Sequence, residues 1–95
     1  MNNAVLTVTR LKKIFGFAIK ITVIVDDEEI GKLSPGNSVT KELTPGIHKV
    51  YLKTAETVVG EELNITETTK SVEVTCKIKM GLLVGAPKLV EVKYN

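Results

Sequence analysis

Between Leu33 and Gly46 the chain reads LSPGNSVTKELTPG, so Leu-(Ser/Thr)-Pro-Gly occurs twice with a short alternating segment between the copies. In each copy proline pre-sets φ at the first corner position and glycine accepts positive φ at the second without steric cost, which is what a type II turn demands. Two such turns isolate Ser38–Leu43 as one strand, with a strand before it and another after it. A chain that doubles back this tightly is expected to pair antiparallel.

The rest of the sequence alternates in the same way. Leu6 and Val8 share a face in Ala4–Arg10, as do Ile19, Ile21, Val23 and Val25 in Ile19–Val25. Ile30–Leu33 is a short strand, and His48, Val50 and Leu52 alternate against Lys49, Tyr51 and Lys53. Leu63 and Ile65 mark another short strand. Ser71–Met80 turns Val72, Val74, Cys76, Ile78 and Met80 inward, and Lys88–Tyr94 puts Val90, Val92 and Tyr94 on one face. Between these lie a connection or bulged strand end at Leu11–Phe17, a solvated turn at Asp26–Glu29, a loop at Ala55–Gly60, a polar turn at Thr66–Ser71, and Gly81 and Gly85 framing LLV. The period is two throughout, never 3.6. The expected fold is all-β: seven to eight short strands in an antiparallel two-sheet sandwich, because sheets with one apolar face must stack. An OB-type barrel comes second, since such folds usually carry a helix.

A chain of 95 residues is expected to form one domain, residues 1–95, burying roughly 60–65% of its unfolded surface. With no Trp and only Phe15, Phe17, Tyr51 and Tyr94 as aromatics, the core must be aliphatic. A net charge of +2 is too small to imply a nucleic-acid or membrane partner for the whole surface. One cysteine excludes an internal disulfide and tolerates a reducing compartment. The opening MNNAVLTVTRLKK, with no basic n-region followed by an apolar run, is not expected to be a signal peptide, and no apolar run approaches the ~18 residues of a membrane span. The expectation is a soluble cytoplasmic domain; the alternative is an envelope-associated one within a larger assembly.

The run Val23–Val25-Asp26, Ile30-Gly31-Lys32-Leu33, Pro35-Gly36, Leu43-Thr44-Pro45-Gly46 and His48-Lys49-Val50 resembles PEGA-like β-sandwich domains, small bacterial modules. The likeness covers residues 23–52. It implies an immunoglobulin-like or PEGA-like sandwich and a non-catalytic accessory domain, often linked to the bacterial cell envelope, with no substrate and no catalytic residue. Asp26-Asp27 stands where the family has Asp-Gly, which counts against a tight two-residue hairpin there. The opening Arg10-x-Lys12-Lys13-x-Phe15-Gly16 is similar to that of small Firmicutes-type proteins carrying the same downstream turns.

The inventory for catalysis is thin. His48 and Cys76 both fall on inward faces by alternation, so a Cys–His dyad would sit in the core, away from substrate. His48 reads as a structural histidine with one ring nitrogen bonded to backbone, and Cys76 as a buried hydrophobe of low reactivity. Asp26, Asp27, Glu28 and Glu29 offer hard oxygen ligands, but without the spacing or turn glycine of an EF-hand. One His and one Cys fall two ligands short of structural zinc. No glycine-rich phosphate cradle is present. Neither catalysis, metal nor cofactor is expected.

One surface feature rises above background: Arg10, Lys12, Lys13 and Lys20 around Phe15 and Phe17. Cations interleaved with aromatics can engage anionic lipid or polyphosphate. The plainer reading is edge lysines that discourage sheet pairing, with the phenylalanines capping the core. The primary expectation is a non-enzymatic interaction or accessory module with a protein partner, met by β-augmentation at an edge such as Ile30–Leu33 or Lys88–Tyr94. The alternative is a peripheral binder of anionic membrane or polyanion through residues 10–20. Nucleic acid is disfavoured, because no aromatic platform lies elsewhere.

Overall fold

The computed structural model describes residues 3–13, 18–55, 57–80 and 85–95. Its strands are β1 (Ala4–Arg10), β2 (Ile21–Val25), β3 (Glu28–Leu33), β4 (Ser38–Leu43), β5 (Gly46–Lys53), β6 (Val58–Ile65), β7 (Ser71–Met80) and β8 (Gly85–Tyr94). Among the described residues there is no helix. The strands form two four-stranded sheets, ordered β4-β1-β7-β8 and β3-β2-β5-β6.

Alternation fills the space between the sheets. Ala4, Leu6 and Val8 of β1, Ile21, Val23 and Val25 of β2, Val50 and Leu52 of β5, and Val72, Val74, Cys76 and Ile78 of β7 are buried together, with Leu33, Leu43, Leu63 and Ile65 from the edge strands. The core is aliphatic, as the shortage of aromatics requires. The first Pro-Gly turn is of the expected kind: Gly36 has φ of 81° and Asn37 N–H donates to the Ser34 carbonyl at 3.0 Å. The second differs. Gly46 has φ of 135° and already pairs with Ile65 as the first residue of β5, so Thr44-Pro45 is a crossover between sheets.

Four further expectations are corrected. The first sheet is mixed: β1 and β7 pair in parallel, Val5 with Ser71 through Arg10 with Cys76. Every connection reverses the chain, so odd-numbered strands all run one way, and two odd strands placed side by side must be parallel. The carboxylate run is not one turn. Asp26 and Asp27, with φ of 50° and 69°, make a tight two-residue hairpin, while Glu28 and Glu29 enter β3. Both positive φ values are those of a type I′ turn, which Asp tolerates better than most residues. The loop at Ala55–Gly60 is shorter than expected, because β6 begins at Val58 and Gly60 lies under the Tyr51 ring, its register partner. Finally, Val90 is 46% exposed. It is the extra residue of a bulge in which Thr75 pairs with Glu91 and Cys76 with Leu89, so Leu89 takes the inward place. Tyr94 is half exposed at the strand end, where its hydroxyl accepts from Asn64 N–H at 3.2 Å.

Candidate functional site

Because odd strands run one way, the C-terminal ends of β1, β3, β5 and β7 gather at one end of a molecule 45 Å long. The β1 terminus is tied there to the β3–β4 turn: Gly36 N–H donates to the Arg10 carbonyl at 3.0 Å and Arg10 N–H to the Asn37 carbonyl at 2.9 Å. Leu11 N–H donates to the Cys76 carbonyl at 2.9 Å, so the chain leaving β1 keeps beside β7.

The expected cationic residues separate into two groups. Arg10 is interior, 1% exposed, and its Nη1 donates to the carbonyls of Ile19 at 2.5 Å and Leu33 at 2.8 Å. It clamps the return of the β1–β2 connection to the end of β3, and its charge is not on the surface. Lys12, Lys13 and Lys20 are exposed. The stem of Lys12 lies beside Gly36, and Lys20 Nζ donates to Ser34 Oγ. Phe15 and Phe17 lie outside the described residues, as does the side chain of Met80.

The same end holds lysines that the sequence reading did not single out. Lys77 and Lys79 line the outer face of β7, and Lys77 is directly opposite Lys88. On the second sheet, Lys32 and Lys53 flank Thr22. Like charges in register oppose folding, and among the described residues neither Lys77 nor Lys88 has an acidic partner. A signal existed in the sequence: counting connections by parity would have brought these positions to one end. Acidic groups gather at the other end, with Asp26 and Asp27 in the β2–β3 turn, Glu28 beside it, Glu42 opposite Val5, and Glu67 before β7. The net +2 conceals a charge gradient along the strands.

The reactive side chains are engaged elsewhere. His48 Nε2 donates to the Thr44 carbonyl at 2.7 Å and Nδ1 meets Asp26 Oδ2 at 2.5 Å, while Asp26 Oδ1 accepts from Lys49 N–H at 3.0 Å. Partial burial draws the imidazole pKa down, but the bonds to Asp26 and Thr44 outweigh it and raise it. Burial likewise opposes the Asp26 charge, and the His48 and Lys49 bonds reverse that, lowering its pKa. Cys76 is fully buried at the other end of the core, and burial pushes its thiol up to about 11 against the opposing influence of Arg10. A thiol held there is nucleophilically inert, and its place in β7 beside Arg10 is remote from the Asp26 turn. The acidic run does not converge: Glu28 pairs with Lys41 at 3.0 Å and Glu29 with Lys32 at 3.1 Å. Among the described residues no three His, Cys, Asp or Glu side chains are disposed to hold a metal, and no helix is long and apolar enough to cross a membrane.

Compared with protein families, curated proteins and solved structures, the chain matches none.

Proposed function

We propose that this chain is a non-enzymatic binding module that docks its basic end against an anionic membrane surface. The observation that carries the reading is the collection of Lys12, Lys13, Lys20, Lys77, Lys79 and Lys88 around one end, with Lys77 and Lys88 opposed in register. Each lysine near an anionic bilayer contributes about 1 kcal/mol of attraction. In the sequence, the apolar runs Ile14-Phe15-Gly16-Phe17 and Gly81-Leu82-Leu83-Val84 stand next to these lysines. Apolar composition framed by lysines favours a bilayer over a soluble polyanion. A single cysteine suits a reducing compartment, and the anionic leaflet there is the cytoplasmic one.

Strand addition by a protein partner draws less support. The two segments expected to offer edges, in β3 and β8, are edges, but each carries a bulge, and β8 also carries Pro87. The β4 edge points Lys41 across to Glu28 of β3. These are the devices by which sheets refuse new strands. The PEGA-like resemblance fits the reading in implying an accessory domain near the envelope.

The test is co-sedimentation with vesicles of phosphatidylcholine containing phosphatidylglycerol at low salt. Wild type should bind, added salt should release it, and Lys12→Ala with Lys13→Ala should weaken binding by roughly tenfold or more, at about 1 kcal/mol per lysine. Indifference of wild type to anionic vesicles at low salt would end the proposal. Retention by soluble polyphosphate alone would replace the bilayer with a polyanion.

A further inference from the structure

On the outer face of the second sheet, Thr22 of β2 stands in register with Lys32 of β3 on one side and Lys53 of β5 on the other. Strands lie about 4.8 Å apart, so the two lysine backbones are roughly 10 Å apart and both ammonium groups can reach a ligand above Thr22. Lys20 precedes the strand on the same face. These residues line a shallow depression of about 240 Å³ together with Ile24, Glu29, Thr54 and Ala55. The Thr22 hydroxyl and the Lys53 ammonium have no hydrogen-bond partner among the described residues. Lys32 is held by Glu29 at 3.1 Å, and Lys20 by Ser34 Oγ.

From this row of cation, hydroxyl and cation we infer a binding site for a phosphate monoester dianion. The inference rests on the basic-end reading for its setting and adds a ligand class to it. Three lysines and one carboxylate leave the depression about two positive charges, matching the −1.5 to −2 of a monoester phosphate near neutral pH. A phosphodiester carries half that charge and leaves one cation unanswered. Lysines supply the charge as mobile donors, and Thr22 supplies a fixed hydroxyl that sets where an oxygen rests. Glu29 is the built-in opponent: it occupies Lys32 while the site is empty and repels the ligand when it arrives. The same phosphate chemistry is found on a lipid headgroup and on a soluble metabolite.

The experiment is an amide NMR titration at low salt with glycerol 3-phosphate, run beside vesicle binding with phosphatidic acid and with phosphatidylglycerol at equal surface charge. Glycerol 3-phosphate should shift the amides of Thr22, Lys32 and Lys53. Lys53→Ala should weaken it by about fivefold, the factor that corresponds to about 1 kcal/mol for one lysine. Glu29→Gln should tighten it, and Lys93→Ala, on β8 of the other sheet opposite Glu73, should leave it unchanged. Preference of wild type for phosphatidic acid vesicles, lost in Lys53→Ala, assigns the phosphate to a lipid. A response to glycerol 3-phosphate without vesicle binding keeps the site, assigns it a soluble ligand and removes the membrane proposal. Vesicle binding that depends on Lys12 and Lys13 but ignores Lys53, Glu29 and the monoester overturns the site and leaves the basic-end reading standing. So does a Glu29→Gln variant that binds no tighter than wild type.

Discussion

At the scale of single residues, the most consequential contact is the one between Asp26 and His48. With Nε2 donating to the Thr44 carbonyl and Nδ1 against a carboxylate, the ring is best satisfied when both nitrogens carry protons. The raised His48 pKa means that its contribution is complete below the unfolded value of 6.5 and disappears as pH rises through the higher folded value. The lowered Asp26 pKa means that its contribution is complete above 3.8 and disappears as pH falls through the lower folded value. Stability is therefore expected to be greatest between about pH 4 and 6.5. Urea midpoints at pH 5.5 and pH 9 check this. Wild type should be the less stable at pH 9, and Asp26→Asn should narrow the gap, removing no more than about 1 kcal/mol because the carboxylate is partly exposed. Equal midpoints for wild type at the two pH values would show that folding leaves the imidazole's proton affinity unchanged, and a higher midpoint at pH 9 would show that the ring is neutral in the fold. His48 was legible as a structural histidine, since a strand that buries Val50 and Leu52 turns His48 inward. Its acidic partner was not, because Asp26 lies on another hairpin. Arg10 was legible in principle and misread as surface: Ala4, Leu6 and Val8 already fix the inward parity of β1, and Arg10 continues it.

At the scale of elements, alternation located the strands and failed where a bulge changes the parity. In β8, Val90 occupies the bulge, so Leu89 before it and Val92 after it both face the core, and no unbroken period of two describes the strand. In β3, Ile30 is the extra residue between the pairs Val23–Gly31 and Ile24–Glu29. Gly31 lies so close to Val39 of β4 that a Cβ would stand 2.7 Å from Val39 Cγ1, a packing reason for glycine that only the second layer reveals. The β2–β3 turn shows the opposite kind of failure. Four adjacent carboxylates suggest a wide solvated loop, yet only two residues turn, and Lys41 and Lys32 neutralise the other two. Asp27 with φ of 69° holds a left-handed conformation that costs an L-residue energy glycine does not pay. Asp27→Gly is expected to stabilise the domain by about 0.5–1 kcal/mol, seen as a higher urea midpoint with unchanged m-value. A lower midpoint would mean that the Asp27 carboxylate stabilises the turn by more than its backbone strain costs.

At the scale of the whole molecule, the sequence carried the two-layer, eight-strand architecture but not the order of strands. Turn chemistry acts over four residues, whereas the choice to seat β1 between β4 and β7 is made by non-local burial. That one choice creates the parallel pair and brings the chain leaving β1 alongside the lysines of β7. The candidate surface was therefore only partly legible. Lys12, Lys13 and Lys20 were visible as a run, but Lys77, Lys79 and Lys88 join them only through the sheet. Placing Lys77 opposite Lys88 sacrifices stability, because a cross-strand pair of like charges is destabilising where an opposite pair contributes roughly 0.2–1 kcal/mol. If that arrangement exists for binding, stability and binding must trade against each other at this position. Lys88→Glu is accordingly expected to raise stability by up to about 1 kcal/mol at low salt, with the gain shrinking as salt screens the pair. The same variant should bind anionic vesicles more weakly than Lys88→Ala, since it reverses a charge rather than removing one. Urea denaturation and vesicle co-sedimentation on both variants read the two sides. A Lys88→Glu protein that is more stable and binds as well as wild type would place the docking surface away from the β7–β8 face. One that is less stable would show that the two lysines diverge into solvent and do not oppose each other at all.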